Sequence, residues 1–130
     1  MHEILITLFT VLALFSASAS ATEIRDVSMI QLIANPQQYD GSPIRLIAFL
    51  NLEFEGNALY LHREDYEKPN SSNAIWISLT DQQQNSLKKL SGGYVLVEGI
   101  FRSKERGHLG MFAGSVEQIT RIQTWERRRK

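Results

Sequence analysis

A chain of 130 residues, 43% hydrophobic and 22% charged, has room for one domain around one core and leaves no length for a second. Its 14 basic and 14 acidic side chains balance. With no cysteine, a disulfide framework, a thiolate metal site and a lipid-modified N-terminal cysteine are all excluded, so packing alone must hold the fold.

The first segment reads as an address. Ile4 to Phe15 is a 12-residue apolar run, and the small residues after it offer the cleavage motif Ala19-Ser20-Ala21. Residues 1–21 are therefore expected to be a secretory signal peptide, which sends the protein to a periplasm or out of the cell. Met1-His2-Glu3 carries no lysine or arginine, so an uncleaved anchor is the alternative; the run falls well short of the roughly 20 residues that span a bilayer. Residues 22–126 form the body, with 10 basic and 13 acidic groups, and Arg127-Arg128-Arg129-Lys130 forms a basic tail. A nucleic-acid binder needs a basic groove on the domain itself, which an acidic body does not supply. The tail reads as a solvated end, its functional alternative being weak contact with a membrane surface or an acidic partner.

Thr22 to Val27 is a lead-in, either extended or an edge strand. Ser28 is the expected N-cap of a short helix, Met29 to Ala34, which Asn35-Pro36 stops and the turn Tyr39-Asp40-Gly41-Ser42 follows. Ile44–Asn51 then reads as a strand with apolar residues on both parities in its middle, and Glu55-Gly56-Asn57 turns it into a hairpin with Ala58–His62. In Ala58–His62 and Asn73–Leu79, Leu59, Leu61, Ile75, Ile77 and Leu79 share the parity expected to face the core. The opposite parity carries Tyr60, His62, Trp76 and Ser78, a small aromatic and polar platform if the strands are antiparallel neighbours. The charged run between them reads as an irregular surface loop containing a formal glycosylation sequon, Asn70-Ser71-Ser72. Its Glu64, Asp65 and Glu67 are read as solvated rather than as a calcium site.

Thr80, with Gln83 three residues on, predicts a capping box for a polar helix reaching Leu90, with Ser91-Gly92-Gly93 ending it. Tyr94–Phe101 is the most β-rich segment, and Gly99 inside it predicts a bulge or bend. A charged, glycine-bracketed connection, Arg102 to Gly110, leads to a last strand from Met111 to Ile122.

Three strands, a helix and two more strands, preceded by a short helix, resemble the OB-fold, a five-stranded Greek-key barrel with its helix between strands three and four. With the apolar leader, the Asn35-Pro36 stop, the Tyr39-Asp40-Gly41 turn and Leu59-Tyr60-Leu61, the chain resembles the small exported OB-fold proteins of bacteria. An open sheet with two helices is the competing fold. The resemblance implies a binding face on the second and third strands, flanked by the loops Leu52–Asn57 and Arg102–Gly110. The ligand-binding residues it implies are Tyr60, His62, Trp76 and Ser78 on the face and Arg102, Lys104, Arg106 and His108 in the second loop. The competing arrangement buries Tyr60 and Trp76 under the N-terminal helix or the segment around Trp125.

No H-E-x-x-H, no G-x-S-x-G and no nucleophile paired with a base stands in the sequence, and His62 and His108 lie far apart. The expectation is an exported non-enzymatic binding module for a protein or an oligosaccharide or other envelope polymer, without metal or cofactor. An accessory subunit of an envelope complex, a nucleic-acid-binding OB-fold and a hydrolase with unpaired catalytic groups are the alternatives.

Overall fold

The computed structural model describes residues 23–127, so the signal-peptide reading and most of the basic tail lie outside it. Period-two alternation builds the core. In β2 (Pro43–Asn51), Ile44, Leu46, Ala48 and Leu50 turn inward and are at most 1% exposed. Leu59 in β3 (Ala58–Tyr60), Ile75 and Ile77 in β4 (Ala74–Ile77), and Val95, Val97 and Phe101 in β5 (Gly93–Arg102) meet them. Val116 in β6 (Ser115–Thr124) completes the set. The core parity expected from the sequence is the one observed, with Leu61 and Leu79 packed against its edge.

Hydrogen bonding runs β2, β3, β4, β6, β5 and returns from β5 to β2, so the five strands close on themselves. β4 and β6 run parallel and the other ring pairs antiparallel. With α4 (Asp81–Leu87) between the third and fourth ring strands, this is an OB-fold-like Greek-key barrel, and the open sheet is excluded. Outside the ring, β1 (Arg25–Asp26) pairs parallel with the start of β2.

α1 (Met29–Ala34) closes the core. Ser28 Oγ accepts from the Gln31 N–H at 3.1 Å, the Gln31 side chain accepts from the Ser28 N–H at 2.8 Å, and Met29 and Leu32 are buried among the barrel residues. Asn35-Pro36 ends α1 as expected, but α2 (Pro36–Tyr39) starts at once, because the first turn of a helix needs no N–H from its opening residue. α4 has the expected Thr80–Gln83 capping box, buries no residue, and tightens into a 3-10 turn at Lys88–Leu90. At Gly99 the β5–β6 register breaks, with Gln118, Ile119 and Thr120 standing opposite that one residue. A Cβ there would sit 2.7 Å from the Glu117 carbonyl oxygen and from Val116 Cγ1, so glycine is a steric requirement of the bulge.

Two expectations fail. The run after His62 is not an irregular loop but α3 (Arg63–Glu67) followed by a 3-10 turn at Ser71–Asn73. Asp65 organises it, accepting from the His62 N–H at 3.1 Å and from the Asn73 side-chain amide at 3.0 Å. Glu64, Asp65 and Glu67 therefore belong to a short helix with local partners. The last strand begins at Ser115 rather than Met111, because the Phe112 N–H is drawn to the Arg106 carbonyl and the Ala113 N–H to the Ala74 carbonyl.

Candidate functional site

The outward parity of β3 and β4 carries aromatic rings as expected, but the chain roofs them itself. Tyr60 is 8% exposed, with the Tyr66 ring of α3 edge-on at 5.6 Å and Phe49 tilted against Tyr66 at 6.0 Å. Burial pushes the Tyr60 phenol above its ordinary range. Trp76 is half-buried, edge-on to Phe112 at 5.5 Å, with Gly107 close against it. A Cβ at Gly107 would come within 2.8 Å of the indole, and its φ is +67°. These rings form a second, outer apolar cluster with Ala58 and Ala74. The open platform is thus corrected to a covered one: α3 and the β5–β6 connection cover it, not the N-terminal helix or Trp125.

The other expected site residues scatter. His62 is exposed beyond the end of β3 and lines an open groove against α1. Ser78 is exposed on a shallow depression beside Thr80, Gln83 and Gln118. Arg102 holds Glu117 at 2.8 Å, and Arg106 donates Nε to the Phe112 carbonyl at 2.8 Å, so both pin the connection that presses Phe112 onto Trp76. Lys104 is exposed. Next to this connection, Asp40 accepts from the Ser103 N–H at 2.8 Å, and that bond holds its carboxyl below the usual carboxylate range.

His108 does find a partner from the first loop: its Nε2 lies 3.8 Å from Glu55 Oε2. This brings the two loops into contact beside the barrel face, and the same loops carry exposed apolar side chains that sequence reasoning passed over. Phe54 is 91% exposed, Leu109 80% and Met111 51%. Glu55 and Leu109 both have φ of +54°, a left-handed conformation that side chains other than glycine's rarely adopt. The loops hold these two positions against local preference. The signal for them was present but weak: a lone phenylalanine between Glu53 and Glu55, and a leucine and a methionine around Gly110.

Among the described residues no group of three His, Asp or Glu side chains is placed to hold a metal ion. No protein-family model matches the chain, and neither does any curated protein sequence.

Proposed function

We propose that the protein is an exported, non-enzymatic OB-fold-like binding module that recognises a protein partner through the joined tips of its two loops. The observation that carries this reading is the exposure of Phe54, Leu109 and Met111 beside the Glu55–His108 contact. Large apolar side chains exposed together, rimmed by charge, are the composition of a protein-binding hot spot. In the same two loops Glu53, Lys104, Glu105 and Arg106 are exposed. An oligosaccharide or nucleic-acid ligand needs open rings to stack on, and here Tyr60 and Trp76 are occupied by Tyr66 and Phe112. The acidic body and the engagement of Arg102 and Arg106 also weigh against a nucleic-acid ligand. Export rests on the leader sequence, residues 1–21.

The test immobilises residues 22–130 and passes an envelope extract over them. A protein retained by the wild type should be lost by at least about tenfold from a Phe54→Ser/Leu109→Ser variant and kept by Tyr60→Phe/Trp76→Phe. Retention unchanged in the first variant and lost in the second would return the site to the aromatic face.

A further inference from the structure

A hollow that shares no residue with Phe54, Leu109 and Met111 gathers polar donors. Asn35-Pro36 ends α1 and starts α2, so the chain turns a corner there. Backbone bonds fix that corner beside the end of β5: the Gly41 N–H donates to the Phe101 carbonyl at 2.8 Å, and the Phe101 N–H to the Ser42 carbonyl at 3.1 Å. Between the corner and the β5–β6 connection lies an open pocket of about 500 Å³. Ile33, Pro36 and Ala113 give it an apolar wall. Its polar side chains are Gln37, Ser103, Lys104 and Arg106, all of which can donate and none of which is a carboxylate.

The arginines on the barrel wall have carboxylate partners: Arg45 and Arg121 hold Glu98, and Arg102 holds Glu117 at 2.8 Å. Lys104 and Arg106 have none among the described residues. Arg106 is pinned through Nε to the Phe112 carbonyl at 2.8 Å, which fixes its guanidinium and leaves both terminal nitrogens unengaged. Ser103 is 7% exposed, and its buried Oγ has no hydrogen-bond partner, an arrangement that costs stability unless something else bonds it. The Asp40 carboxylate, which takes the Ser103 N–H at 2.8 Å, senses that hydroxyl without bonding it. Asp40 and Glu105 both stand outside the lining. Two cations without carboxylate partners and an unpaired hydroxyl around one hollow complement a compact oxyanion, and the apolar wall complements a short carbon chain attached to it. We infer that this pocket binds a small phosphate monoester, with Lys104 and Arg106 on the phosphate oxygens, Gln37 and Ser103 completing the donors, and Ile33, Pro36 and Ala113 against the organic group. A free metabolite and the headgroup of phosphatidic acid share this chemistry.

The test is calorimetric titration of residues 22–130, which hold the whole barrel and its core, with glycerol 3-phosphate. Saturable one-to-one binding is expected, weakened at least about tenfold by Ser103→Ala/Lys104→Gln. Lys104→Gln alone, at an exposed position, should still weaken it several-fold and carries the comparison if Ser103→Ala disturbs the fold. Vesicles of phosphatidic acid added to the complex separate the two sources: displacement of the ester assigns the pocket to the lipid headgroup, and retention assigns it to the free metabolite. No saturable binding, equal affinity for glycerate, or an affinity unchanged by both variants would overturn the inference. Phe54→Ser/Leu109→Ser should leave binding of the ester intact, which keeps this result separate from the loop-tip reading.

Discussion

Gly99 and Glu98 are neighbours in β5 with opposite constraints, one steric and one electrostatic. The bulge of β6 presses its backbone onto Gly99, so Gly99→Ala is expected to cost about 1–3 kcal/mol, read as a lower denaturant midpoint with unchanged slope. Glu98 points outward but is 7% exposed, held by Arg45 at 2.7 Å and Arg121 at 3.1 Å. The hydrogen bond from Arg45 is the main reason its carboxyl titrates below the ordinary range. Since the folded pKa is lower than the unfolded one, this stabilisation is complete above the ordinary carboxylate pKa, declines as pH falls below it, and is gone beneath the folded pKa. Glu98→Gln should therefore lower the melting temperature at pH 7, and the gap from wild type should close on acidification. A gap independent of pH would mean that packing, not charge, holds this position.

At the level of elements, what was legible in the sequence is what local chemistry dictates. The parity of Leu59, Ile75 and Ile77, the caps Ser28 and Thr80, and the bulge at Gly99 each follow from period, side-chain oxygen or missing Cβ, and each is observed. α3 was not legible, because it buries none of its own residues fully and its apolar mark is the single ring of Tyr66 in a charged run. Nor was the position of Phe112, which depends on Arg106 and Gly107 folding the β5–β6 connection back over Trp76. Both segments cover the same face, which is why the rings looked free when only the strands could be read. Tyr66→Ala should uncover Tyr60, costing about 1–3 kcal/mol and letting its phenol titrate closer to the ordinary tyrosine range in an ultraviolet pH titration. A phenol titration unchanged by Tyr66→Ala would show that something other than α3 shields it. Leu32→Ala, in the helix that closes the core, should cost more, about 2–5 kcal/mol by denaturant unfolding, because Leu32 is fully buried. A cost below about 1 kcal/mol would show that α1 does not seal the barrel.

For the molecule as a whole, five strands close into one ring, and the proposed recognition falls to what projects from it. The covered aromatic face stiffens one side, and the loops Leu52–Asn57 and Arg102–Gly110 meet through Glu55 and His108 to display Phe54 and Leu109. The most direct measurement is amide hydrogen exchange on residues 22–130, alone and with the envelope protein that they retain. The loop-tip account predicts new protection in Glu53–Asn57 and Arg106–Phe112 with β3 and α3 unchanged. Protection confined to Ala58–Glu67, with both loops exchanging as before, would contradict it.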